Sequence, residues 1–312
     1  MSGSPPNPNV PTRKSHRRDQ PLGTPRVVGR LSVAGLVVAC ALAIGSPLAL
    51  DRIGGDSVSS SADGPPSGDD PAPPGSSSTS TPPTSDQRPR DDRRLVPESI
   101  PARGSIIEPA QPVPAKPADA PFKPVGEEAG SPVRWNSCTP IRYVVRRRAG
   151  PEHGFEMVQE ALQRTADASG LRFQFEGFTN QLLDDWQADP SAAGTADVWI
   201  GWAFDDEVPR LGPQTEDSYV AGVGGPSWQS GNPRIFSGSA VLRADTTLDH
   251  RFGAGQTYGN VLLHEIGHMV GLDHSDSTAD IMYPTTSPDT PESWGPGDLA
   301  GLYALGSSQP CF

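Results

Sequence analysis

The sequence predicts a mixed α/β domain of the α+β kind, confined to residues 131–312. Three observations carry this. Of 312 residues 34 are Gly and 36 Pro, with 34% apolar and 6% aromatic, below a usual globular composition, so part of the chain builds no core. Sixteen of the prolines fall between residues 51 and 125, which places that part there. Beyond Pro132 the apolar pattern runs as strand, helix, several strands and then two helices, which suits one core of about 180 residues.

Residues 1–30 carry Arg13, Lys14, Arg17, Arg18, Arg26 and Arg30 against the single acid Asp19, without apolar periodicity. They read as a basic cytoplasmic leader. The uncharged run from Leu31 to Leu50 has the length of a spanning signal anchor and also the layout of a cleavable signal peptide. A lipobox-like Val37-Val38-Ala39-Cys40 is a third reading of the same run. Each of them exports the chain beyond residue 50, giving either a single-pass membrane protein with an exterior domain or a secreted one. Residues 51–130, rich in Pro, Ser, Gly and Asp, read as an extended disordered stalk.

Within the domain, Ile141 to Arg147 alternates as a strand. Phe155, Val158, Ala161, Leu162 and Ala166 stand at helical spacing with Gly170 at the end, so residues 154–170 read as a helix. Residues 171–177 and 196–203 read as strands, the latter fully buried, and shorter strands are expected at Tyr219–Gly224 and Ser239–Arg243. Helices are expected at Tyr258–Val270 and Gly297–Ala304. The run Arg146-Arg147-Arg148 reads as a solvated strand end. A formal charge of −12 and a pI near 4.9 argue against a nucleic-acid partner, since no basic surface is available to replace phosphate counterions.

The chemistry lies in the sequence His264-Glu265-Ile266-Gly267-His268-Met269-Val270-Gly271-Leu272-Asp273-His274-Ser275. On a helix, His264 and His268 share one face one turn apart and can bind one metal ion. Gly271 can take positive φ and end the helix, letting the chain fold back so that His274 reaches the same ion. Three neutral imidazoles with a fourth position open are a zinc donor set. Zinc held in this way activates water and polarises a carbonyl. Glu265, about 100° around the helix from His264, is placed to pass the water's proton to a leaving amine.

This stretch, followed by Met282 in Ala279-Asp280-Ile281-Met282-Tyr283-Pro284, resembles the metzincin zinc endopeptidases and, with Ser275 after the third histidine, their matrixin branch. The resemblance implies a twisted mixed sheet, a long active-site helix, a methionine turn and a closing helix. It implies one catalytic zinc on His264, His268 and His274, with Glu265 as base and Met282 as a floor beneath the ion. An acid at Asp298 would bond the methionine-turn backbone; its alternative reading is a helix N-terminal acid favoured by the dipole. Protein or peptide substrates would add as a strand along a sheet edge, for which Tyr219–Gly225 is the candidate. Calcium is a further ion compatible with the resemblance. Tyr283 is not expected to ligate, and His153 and His250 read as surface or packing residues.

Cys138 and Cys311 bracket the domain in an oxidising compartment. If bridged they close a loop of about 170 residues and stabilise the fold by up to about 5 kcal/mol; two free thiols are the other possibility. The expected protein is a monomeric exported zinc endopeptidase. The alternatives are a catalytically silent zinc-binding adhesion or scaffolding module, against which the intact Glu265 counts, and a zinc amidase acting on cell-wall material.

Overall fold

The computed structural model describes residues 100–188, 196–215 and 218–312, together with the backbone of Val33–Gly35 and Val38–Ala43. The basic leader, the rest of the apolar run and the Pro-rich tract up to residue 99 lie outside the described residues. The elements in chain order begin with β1 (Val33–Gly35), β2 (Val38–Ala43), β3 (Ile106–Ile107), β4 (Glu127–Glu128), β5 (Ser131–Pro132) and β6 (Ile141–Arg146). They continue with α1 (Gly154–Ser169), β7 (Phe173–Phe178), α2 (Leu183–Ala188), β8 (Val198–Ala203), β9 (Ser218–Gln229), β10 (Ile235–Arg243), α3 (Tyr258–Val270), β11 (Thr285–Thr286) and α4 (Pro296–Leu305).

The main sheet runs β11-β2-β9-β10-β8-β6-β7-β3, with β1 also on β9, while β4 and β5 pair by themselves. Strands β7, β6, β8 and β10 are parallel and β9 is antiparallel to β10, which makes the expected mixed α/β architecture. Every residue of β8 is buried, as a strand covered on both faces should be. Val198, Ile200 and Trp202 enter the larger core with α1 and α3, while Trp199 and Ala203 enter a second cluster with Leu183, Trp186, Val208 and Leu211. The alternation of one strand thus feeds two cores.

The same alternation corrects the reading of Arg146. The sequence suggests a solvated strand end, but the side chain is 1% exposed, because position 146 falls on the second face of a central strand. Its guanidinium donates to Trp202 O at 2.6 Å and to Glu207 at 2.6 and 3.0 Å. Arg146 in turn holds the Glu207 carboxyl below its ordinary range, so the buried charge is paired.

The apolar run is also not helical where it is described. Its residues Val38–Ala43 pair antiparallel with Ser218–Gly224 of β9 and parallel with Thr285–Thr286 of β11. A short apolar run with branched residues suits either helix or strand, and the edge of β9 offers unpaired backbone groups for it to satisfy. Among the described residues no helix is long and apolar enough to cross a membrane.

Residues 100–130 read as stalk in the sequence, yet they lie on the domain. Ile106–Ile107 pairs with β7, Ala110 N donates to Asp167, and Ser307 Oγ donates to Pro112 O. Pro-rich chain need not be disordered: its free carbonyls and scattered N–H groups find partners on a neighbouring surface. Cys138 and Cys311 are joined as a disulfide with Cα atoms 5.7 Å apart, tying the start of the domain to the C-terminal residues.

Candidate metal centre

Helix α3 starts at Thr257, whose side chain accepts from Asn260 N, an N-cap that satisfies one of the free first-turn donors. It ends where Gly271 takes φ 113°. Leu272 N donates to Gly267 O at 2.9 Å and Gly271 N to His268 O at 3.0 Å, the paired bonds of a Schellman motif. A side chain at 271 would be strained by that φ and would also meet Val133 O. The reversal carries His274 back over the helix face that bears His264 and His268.

The three histidines form a group whose ligand atoms all lie within 4.8 Å of one another. His268 Nε2 is 3.0 Å and His274 Nε2 3.3 Å from His264 Nε2. The outward nitrogens of two of them are pinned. His264 Nδ1 lies 2.7 Å from Ile281 O and His268 Nδ1 2.8 Å from Leu272 O. A carbonyl only accepts, so each Nδ1 carries the proton and each Nε2 presents a lone pair to the common centre. Facing lone pairs repel unless a cation lies among them. Ligand atoms on a zinc tetrahedron with bonds of about 2.0–2.1 Å stand about 3.3 Å apart, so the residues present fit that ion.

Burial drives His264 down to about 3 and lowers His268 and His274 as well. All three are therefore neutral ligands at neutral pH. A pH dependence arises from this in the metal-free chain. Unfolded imidazoles take up protons below about 6.5 while those of His264 and His268 do not, so the unfolded state binds more protons and stability falls as pH drops. Asp298, raised to about 7 by burial, works in the opposite sense between its ordinary carboxylate range and about 7, as one group against two. Melting with chelator present should fall from about pH 6.5 to about pH 5; a constant or rising melting temperature there would contradict neutral buried imidazoles.

Glu265 is fully buried beside β9. A Cβ on Gly222 would stand 2.8 Å from Glu265 Oε1, and one on Gly224 would stand 2.8 Å from Oε2. Two glycines in one strand therefore make the space for the Glu265 carboxylate. The candidate edge Tyr219–Gly225 lies within β9, so the same strand would meet both substrate and base.

The turn at residues 280–282 lies against helix α3 through Ile281 O and Met282. Asp298 accepts from Ile281 N at 2.6 Å, Met282 N at 3.2 Å and Gly295 N at 2.9 Å. Asp298 thus bonds the backbone of residues 281 and 282 and also the N-cap of its own helix. Two further anchors escape a reading of the sequence. Asp280 accepts from Ser275 Oγ at 2.6 Å and from Gly297 N at 2.9 Å, and Ser275 N donates to Met282 O. Gly267 is the other: a Cβ there would land on Met282 Sδ. Gly267→Ala should destabilise the chain by about 1–3 kcal/mol through overpacking, with weaker zinc binding; denaturant melts showing no loss would remove the tight fit.

His153 is exposed beside Glu156, and His250 packs edge-on against Tyr258 with centroids 4.9 Å apart. Residues 135–303, more than half the chain, match the family model described as Matrixin, Peptidase_M10. Over 117 residues the chain is 31% identical to Matrilysin of Rattus norvegicus, covering 36% of this chain and 40% of that protein, so the match spans less than half the relative's length. Among solved structures it is similar to metalloproteinase-II from Bacteroides fragilis, with 16% identity, a TM-score of 0.34 and coverage of 60% of this chain and 58% of that one.

Proposed function

Because this chain belongs to the matrixin family of peptidases, we propose that it is an exported zinc endopeptidase with Glu265 as general base. The observation that carries the reading is the convergence of three Nε2 atoms, two of them held by Nδ1–H donation to Ile281 O and Leu272 O, with the Glu265 carboxylate on the same helix buried against Gly222 and Gly224. His264, His268 and His274 would hold the ion, which when bound supplies a Lewis acid that acidifies water and polarises the scissile carbonyl.

The protein's own groups do the rest. Glu265 takes a proton from water as its oxygen adds to the carbonyl carbon, then delivers that proton to the amine nitrogen as the C–N bond breaks. The edge of β9 offers backbone hydrogen bonds to an extended peptide. Support for this mode is that Val38–Ala43 lies there as an added strand between β9 and β11, which is the form a protein substrate would take. The Cys138–Cys311 bridge supports a site of action outside the cytoplasm.

Incubation of the zinc-loaded protein with casein and, separately, with peptidoglycan distinguishes the readings. New amino termini from casein alone are expected. Release of peptidoglycan fragments alone would replace the peptidase with a cell-wall amidase, and no product from either would favour a silent binding module.

A further inference from the structure

The family match begins at residue 135, but the third histidine is held from outside it. The loop that brings His274 back runs from Gly271 to Ser275, and its backbone is laddered to a segment about 150 residues earlier in the chain. Pro124 bridges antiparallel to Leu272, flanked by Val125 N donating to Gly271 O at 2.9 Å and Asp273 N donating to Lys123 O at 2.8 Å. Lys123 Nζ is 2.7 Å from Asp276 on the far side of His274. Val125 is buried and Phe122 packs against the core, where the absent side chain of Gly301 leaves it room.

We infer that residues 121–126 are a positioning strap for His274, so that metal occupancy and docking of this strap are coupled. The inference rests on the zinc reading above. It places the N-terminal limit of the working metallopeptidase well before residue 131. The physical reason is local. His264 and His268 are fixed by helix α3, whereas His274 stands on a turn whose N–H and C=O groups at 271 and 273 find their partners on the strap. Releasing it would take the strap's bonds from Gly271 O and Asp273 N and would free the third ligand to wander. By linkage, a ligand that orders the 271–275 loop must also stabilise whatever the loop is bonded to.

The test is hydrogen exchange on the full chain, zinc-loaded and chelated. Zinc should slow exchange in peptides covering both 271–276 and 121–126. Slowing in 271–276 with no change in 121–126 would overturn the coupling while leaving the metal site intact. No change in either segment would overturn the metal reading and the strap with it. Variants of the full chain read the same coupling as zinc affinity. Val125→Pro removes the N–H to Gly271 O and should weaken zinc about tenfold, as loss of outer supports of a metal site does. The control Ala118→Pro, at an exposed position of the same arm, should stay near wild type. Equal zinc affinity for folded Val125→Pro and wild type would contradict the strap. If Val125→Pro fails to fold, the exchange experiment still decides.

Discussion

Glu265→Gln is expected to keep about one zinc per chain and to cut peptide hydrolysis by about 10²–10⁴-fold, the range over which a positioned general base acts. The three imidazoles are untouched by the change. Gln has nearly the shape of Glu, which matters here because the carboxylate is packed against Gly222 and Gly224 of β9 and a smaller residue would leave a cavity as well. What Gln lacks is the capacity to take a proton from water and return it to the amine. The loss should fall on kcat, with KM little changed, since the edge of β9 is intact. A variant within tenfold of wild type would take the base role away from Glu265.

The largest expected effect on stability belongs to Asp298→Ala. The carboxylate accepts from three backbone N–H groups, at Ile281, Met282 and Gly295, in a place water does not reach. Each buried donor left without an acceptor costs about 1–3 kcal/mol. With partial relaxation the sum is about 3 kcal/mol, which for a domain of this size lowers the melting temperature by roughly 6–12 °C. The damage should extend to the metal. Ile281 O accepts from His264 Nδ1, so a loosened 280–282 turn frees the first ligand, and zinc affinity should fall along with stability. Asp298→Asn retains one oxygen acceptor and should lose less on both counts. Differential scanning calorimetry with a zinc competition titration checks the pair, and equal melting temperatures for Ala and wild type would show that the turn is held by something else.

The features legible in the sequence are those with local causes. Tyr258–Val270 reads as a helix with the bounds it has in the structure, because apolar periodicity continues up to a glycine that can reverse the chain. The candidate metal site comes from the same stretch, since the spacing of His264 and His268 and the position of Gly271 are properties of a single helix end. Features that depend on partners far along the chain are not legible. Arg146 is buried because Glu207 meets it 61 residues later, and a run of three arginines says nothing of that. Strand β9 extends to Gln229, beyond the expected end at Gly224, because Pro226, Ser227 and Trp228 find partners on β10. Gly222 and Gly224 are in fact there to make room for Glu265.

The segment 100–130 departs from its reading for a related reason. Proline content predicts the absence of helix and sheet interior, and that holds for most of it, but it does not predict the absence of docking. Its bonds to Asp167, Phe175, Gly271 and Asp273 are to surfaces that exist only once the domain has formed. The arrangement of Asp280 and Ser275 around the methionine turn is hidden in the same way, as two ordinary polar residues five positions apart.

Proteolysis by this chain is expected to depend on a zinc site made by His264, His268 and His274. The most direct measurement is metal content of the purified full chain and of His268→Ala, alongside casein hydrolysis before chelation, after chelation and after zinc is returned. About one zinc per wild-type chain is expected, with cleavage lost on chelation and restored by zinc, and neither zinc nor cleavage in the variant. Casein cleavage by wild type that survives complete removal of zinc, or full zinc content in His268→Ala, would contradict it.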